Sequence, residues 1–250
     1  MANIITSTNN PYIKEISKLK DKKYRTLNKK FIIEGVHLVK EAYSEDIILE
    51  IFTTNDNYQN DFKDIKITIV SFDIINKLSD TTTPQDIVAV CKFKDTYIDY
   101  DKYKHILILD DVKDPGNVGT LIRTSLGFNI DAVILSENSC DIYSSKVLRS
   151  SQGAIFHIAC AYKNIDCEID IIKKHGIKVI STSLLAKTKI SEIEKIENYA
   201  IILGNEANGV RKNIQEKADI NVIIPIKDAL ESLNVAIAGA IMMYEVSKWK

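Results

Sequence analysis

The chain has 250 residues, 33 basic and 34 acidic side chains, a formal charge of −1 and a 45 % hydrophobic share. These values exclude a disordered chain and a protein that coats nucleic acid indiscriminately. No apolar stretch approaches the roughly 20 residues of a membrane helix, and the opening MANIITSTNNPYIK lacks the apolar region of a signal peptide, so a cytoplasmic globular protein is expected.

The chain opens with a basic segment. Between positions 14 and 30, eight cations (Lys14, Lys18, Lys20, Lys22, Lys23, Arg25, Lys29 and Lys30) face only Glu15 and Asp21, enough positive charge to neutralise phosphates. The spacing predicts one basic helix over NPYIKEISKLKDKKY. It is followed by a strand FIIEG, a helix VHLVKEAYS, strands near ILEIFTT, IKITIVS and DIVAVCKF, and a helix near FDIINKLS. This is a small α/β unit. A polar run, KDTYIDYDKYK, closes it, and the boundaries read as a first domain over 1–96, a linker over 97–104 and a second domain over 105–250.

From His105 onward, apolar strands alternate with helical segments. HILILD, GNVGTLIRTSLG, DAVILSE and SSKVLRSSQG come first, and IFHIACAY, KVISTS, YAIILGN and NVIIPI follow as strands. That alternation predicts an α/β fold with a mostly parallel sheet covered on both faces. The last segment, ESLNVAIAGAIMMYEVSKWK, predicts a helix apolar nearly all round, buried within one subunit or in a subunit interface.

Glycine is concentrated in this second part, where only Gly35 precedes residue 115. Three loops there follow apolar strands, at the sheet edge where ligands of α/β proteins collect. In DPGNVGTLIRT, Pro115-Gly116 predicts a tight turn, and a helix start would aim N–H groups at an anion. Arg123 lies four residues beyond Gly119, on the same helical face. In IILGNEANGVRKNI, Gly204 marks a close approach and Glu206 brings a carboxylate to the turn. In VIIPIKDALESLNVAIAGA, Ser232 and Asn234 open the last helix, where a serine can serve as a cap. No Walker loop and no complete G-x-G-x-x-G is present, which argues against a kinase or a nucleotide-dependent dehydrogenase. Cys91, Cys140, Cys160 and Cys167 form no CxxC pair and no zinc-type spacing with histidine, so no metal is expected.

Taken together, NVGTLIRTS, LGNEANGV and IPIKDALESLNVAIAGAI resemble, in order and spacing, the three motifs of the SpoU (TrmH-type) branch of the SPOUT methyltransferases. STNNPYIKEISKL and FIIEGVHLVKEA resemble the L30e-like RNA-binding domain that precedes the catalytic domain in many members. The resemblance implies a C-terminal trefoil-knot domain and S-adenosylmethionine as methyl donor. The acceptor it implies is a ribose 2′-hydroxyl of rRNA or tRNA, and the expected assembly is a homodimer through the knotted domain.

Carried over by motif, the implied catalytic set is Arg123, Asn117, Glu206, Ser232 and Asn234. The implied cofactor contacts are Thr182, Leu203, Gly204, Ile224 and Leu233. Lys14, Lys18, Lys22, Lys23 and Arg25 are the expected RNA contacts. The alternative is an RNA-binding protein of the same fold without turnover, a role that needs no such polar set.

Overall fold

The computed structural model describes residues 3–94, 96–227 and 229–249. The chain forms two compact units, Met1–Asp95 with Asp141–Phe156, and Thr96–Cys140 with His157–Lys250. The sequence-based split is continuous along the chain, whereas here the segment 141–156 is part of the first unit.

In the first unit, β1 (Asn3–Ile5), α1 (Pro11–Ser17), α2 (Lys22–Asn28), β2 (Lys30–Glu34), α3 (Val36–Ser44), β3 (Ile48–Thr53), β4 (Ile67–Val70), α4 (Phe72–Leu78) and β5 (Ile87–Lys92) follow in order. They build a mixed sheet β1-β4-β3-β5-β2, with β5 antiparallel to both its neighbours. Ile13, Ile16 and Leu19 join Ile74, Ile75 and Leu78 of α4 over Phe52, Val70, Val88 and Val90, an apolar contact of the size that anchors a small domain.

The basic segment is two helices rather than one. A 3-10 turn, Lys18–Lys20, follows α1, and Asp21 is extended at φ −92, ψ 133, its carboxylate capping the Lys23 N–H at 2.9 Å. An aspartate that satisfies an orphan N–H competes with helix continuation. Lys14, Lys18, Lys22 and Lys23 are exposed.

Arg25 departs from the expectation of an RNA contact. It is 7 % exposed, with Nε and Nη2 donating to Asp141 Oδ2 at 3.0 and 2.7 Å and Nη1 to the carbonyls of Leu19 and Lys20 at 2.9 and 2.6 Å. A guanidinium with its fork occupied in this way holds the fold together and leaves the set of side chains offered to RNA. The same segment brings Tyr143, whose ring stacks on Phe93 at 4.1 Å and on Phe31 at 4.6 Å. These contacts place α6 (Ser145–Ser151) in the first unit.

In the second unit, β6 (His105–Asp110), α5 (Pro115–Gly127), β7 (Ala132–Ser136), β8 (Ala159–Lys163), α7 (Ile165–Lys174), β9 (Lys178–Thr182), β10 (Thr188–Lys189), β11 (Tyr199–Gly204), α8 (Lys212–Lys217), β12 (Ile220–Ile223) and α9 (Val235–Ser247) follow in order. The sheet runs β10-β12-β9-β11-β6-β7-β8 with every pair parallel. β7 and β11 are buried along their whole length, as a sheet covered on both faces requires. Strand order turns around between β6 and β11, where Gly204 sits opposite Asp110. Such a switch point leaves a crevice at the carboxyl ends of the strands.

After β12 at the far side of the sheet, the chain returns to the middle, and α9 packs on α5 and β11. Gly239 makes that contact close, because a Cβ there would lie 2.3 Å from Leu121 Cδ2 and 2.7 Å from Leu203 Cδ1. Among the described residues no helix is long and apolar enough to cross a membrane.

Candidate active site

The loop after β6 differs from the expected tight turn. Pro115 is already the first helical residue of α5 and Asp114 is its cap, accepting from the Asn117 N–H at 2.9 Å. Proline suits that position because its fixed φ matches the helix and it has no N–H to leave orphaned. α5 buries Val118, Gly119, Leu121, Ile122 and Ser125, so Thr120, Arg123 and Gly127 lie on the opposite, exposed stripe.

The loop after β11 is held by a two-way backbone pairing. The Asn205 N–H donates to the Gly209 carbonyl at 3.0 Å and the Gly209 N–H to the Asn205 carbonyl at 2.9 Å, with Gly209 at φ +67. A Cβ on Gly204 would lie 2.0 Å from both Gly209 C and Val210 N. Those are backbone atoms that cannot rotate aside, so only glycine fits under this loop.

Two partners that hold the loop were not anticipated from the sequence. Asn205 Nδ2 donates to the Asp111 carbonyl at 2.8 Å. Asp110, fully buried, accepts from the Arg211 N–H at 3.0 Å, from Arg211 Nε at 2.8 Å and from Nη2 at 2.7 Å. The pairing of Asp110 with Arg211 raises the guanidinium pKa further. An acid ending the apolar run HILILD was the available signal, since a buried carboxylate requires a cation.

Three of the expected side chains form one hydrogen-bonded chain across the three loops. Glu206 Oε1 accepts from Asn117 Nδ2 at 3.1 Å and from the Asp114 N–H at 3.2 Å. Asn117 Oδ1 accepts from Asn234 Nδ2 at 3.0 Å, and Asn234 Oδ1 caps α9, accepting from the N–H groups of Ala236 at 2.9 Å and Ile237 at 3.3 Å. The orientation of both amides is forced, because a carboxylate only accepts and a helix start only donates. Asn234 is therefore the cap of α9, and Ser232, the alternative cap, has no hydrogen-bond partner among the described residues.

Partial burial pushes the Glu206 carboxyl pKa up. Hydrogen bonds from its own N–H, Asn117, Asp114 and Lys113 together outweigh that and hold it below the ordinary glutamate range. Glu206 is thus an anion at neutral pH and acts as an acceptor. A group with a lowered folded pKa stabilises the fold above its unfolded pKa and loses that contribution as the pH falls through the folded value. Glu206→Gln should then lower stability at neutral pH by about 1 kcal/mol, about 2–4 °C in Tm. The gap to the wild type should narrow below about pH 4.3. Thermal unfolding of both proteins across that range checks it.

Beside this chain lies a cleft of ≈ 450 Å³, within the size range of small-ligand sites. Thr182, Leu203, Gly204, Ile224 and Leu233, the five expected cofactor contacts, all line it, together with Glu206 and Ser232. Val222 and Ile224 give it an apolar wall, and the Asn205–Gly209 loop lines it as well. Arg123 belongs neither to this lining nor to the hydrogen-bonded chain, and it has no acidic partner among the described residues. Among the described residues no cluster of three His, Cys, Asp or Glu side chains offers a metal site.

Comparison with known proteins gives matches over nearly the whole chain. A family described as the SpoU rRNA Methylase family matches residues 104–244, and an MRM3-like substrate binding domain matches residues 10–89. The chain is 38 % identical to the 23S rRNA (guanosine(2553)-2′-O)-methyltransferase RlmP of Bacillus subtilis over 97 % of its own length and 98 % of that protein's. An AdoMet-bound rRNA methyltransferase from Sinorhizobium meliloti superposes with a TM-score of 0.91 at 26 % identity, covering 99 % of this chain and 98 % of that one. An RNA 2′-O ribose methyltransferase superposes with a TM-score of 0.84 at 27 % identity, covering 98 % of each.

Proposed function

The chain belongs to the SpoU rRNA methylase family, and from that premise we propose that it transfers a methyl group from S-adenosylmethionine to a ribose 2′-hydroxyl of rRNA. The observation that carries this reading is that three distant loops meet in the Glu206–Asn117–Asn234 chain, beside a cleft lined by the second and third of them.

The cleft fits an adenosine-bearing ligand. Leu203, Val222, Ile224 and Leu233 give it apolar walls, Gly204 lets the Asn205–Gly209 loop pack against the end of β11, and the Ser232 hydroxyl is unpartnered among the described residues. When bound, S-adenosylmethionine supplies a methyl group activated by its sulfonium. Thr182, Leu203, Gly204, Ile224 and Leu233 are the residues that hold it.

The remaining chemistry falls to the chain's own side chains. Asn117, Glu206 and Asn234 have their groups engaged with one another and with backbone, so they act as positioning residues that hold α5, the Asn205–Gly209 loop and α9 in register. Arg123 keeps its full set of donors. A guanidinium has five N–H donors and no acceptor atom, so Arg123 is not the proton acceptor. Its role is to bind the phosphate next to the target ribose and to stabilise developing alkoxide charge, with that phosphate or a water taking the proton. Ser232 offers a hydroxyl to orient the reacting groups.

Lys14, Lys18, Lys22 and Lys23 of the first unit contact the RNA backbone. The assembly is a homodimer through the second unit. Ile237 and Tyr244 are exposed and Ile241 partly so, one apolar stripe at helical spacing that a second copy covers. The protein acts in the cytoplasm. Calorimetry with S-adenosylhomocysteine and with NAD tests the cofactor assignment: binding of the first alone is expected, and binding of the second alone would overturn it.

A further inference from the structure

The basic segment holds an aromatic ring that the reading above does not use. Tyr24, half-buried on α2, has Lys18 Nζ at 5.5 Å and Lys23 Nζ at 5.8 Å from its ring centroid. Neither lysine has an acidic partner among the described residues, nor do Lys14 and Lys22 beside them. The nearest carboxylate in sequence, Asp21, is engaged in capping the Lys23 N–H. Two ammonium groups on one ring repel each other, and cation–π attraction at an exposed site is weak. An anion beside them offsets that charge.

The platform is also rigid. The next residue, Arg25, fixes α2 through its bonds to Asp141 and to the carbonyls of Leu19 and Lys20. Pre-ordering of this kind lowers the entropic cost of binding. An aromatic ring with unpaired, flexible cations close to it combines what single-stranded nucleic acid binds, with bases stacking on the ring and phosphates on the charges.

We propose that Tyr24, with the Lys18 and Lys23 ammonium groups close to its ring, is a stacking platform for one unpaired nucleobase of the RNA. The lysines take the phosphates that flank it. The inference rests on the reading of the chain as an RNA methyltransferase and names how its first unit grips the substrate. A base paired within a duplex presents no free face to the ring, so the platform selects a loop, bulge or strand end.

The test is binding of a single-stranded RNA of about ten nucleotides, a span that one such site covers. The RNA carries one 2-aminopurine, and a duplex of the same sequence serves as competitor. Tyr24→Leu should weaken single-strand binding about tenfold or more and abolish the quench of 2-aminopurine that stacking produces, while Tyr24→Phe keeps both. In Lys18→Gln/Lys23→Gln the slope of log affinity against log salt should fall by about 1.4, for two phosphates on a single strand. Unquenched binding by the wild type, equal binding by Tyr24→Leu, or equal competition by the duplex would each overturn the proposal. S-adenosylhomocysteine affinity and methyl transfer to 23S rRNA, measured on the wild type, report on the underlying reading separately.

Discussion

Replacing Gly204 by alanine should weaken cofactor binding by about 10²-fold. The added Cβ would stand 2.0 Å from the backbone at Gly209 and Val210, so β11 and the Asn205–Gly209 loop must separate. That loop is closed by its own pair of backbone hydrogen bonds and tied to β6 through Asp110 and Arg211. It has little freedom to give. Overpacking of this kind costs up to about 3 kcal/mol, which is about 10²-fold in affinity if it falls on the cleft wall. Calorimetry with S-adenosylhomocysteine, alongside circular dichroism, reads the effect. A folded Gly204→Ala protein that binds within about twofold of wild type would show that the loop yields more easily than its bonding implies.

Arg123→Lys should lower turnover by about 10²-fold, the loss typical of removing one donor that acts on developing negative charge. Lysine keeps the charge but replaces the planar fork with a point cation, and it reaches one acceptor where arginine reaches two. The residue sits on the exposed stripe of α5, outside the cofactor cleft. Affinity for S-adenosylhomocysteine should therefore stay at the wild-type value while kcat falls, a split that separates loss of a transition-state contact from damage to the site. Near-normal turnover in Arg123→Lys would mean that charge alone is enough and that bidentate binding of the phosphate has no part.

The parts of the fold that were legible in the sequence are those where local pattern and burial agree. HILILD, DAVILSE and YAIILGN are apolar without interruption, which for segments this short means strands covered on both faces, and β6, β7 and β11 are such strands. Their carboxyl ends are marked by Gly, Asn and Asp, so the side of the sheet that carries the cleft could be read in advance. Asp21 was legible in principle, because an aspartate two residues before an N–H it can cap is a local signal.

What escaped the sequence depends on contacts between distant residues. Arg25 has the composition of a phosphate ligand, and only its pairing with Asp141, 116 positions away, shows that it is buried. The segment 141–156 continues the strand–helix alternation of the second half, yet Tyr143 stacks on Phe31 and Phe93 of the first unit. The asparagines at 117 and 234 were expected at the site, but the direction of their amides follows from a carboxylate at one end and a helix start at the other. No spacing rule encodes that.

The most direct measurement is mass-spectrometric mapping of ribose methylation in unmodified 23S rRNA after incubation with the purified protein and S-adenosylmethionine. The expected result is a single nucleotide gaining one methyl on its 2′-oxygen, with the gain strongly reduced in Arg123→Lys. Methyl groups on a base instead of a sugar, or none on rRNA from a preparation that binds S-adenosylhomocysteine, would contradict it.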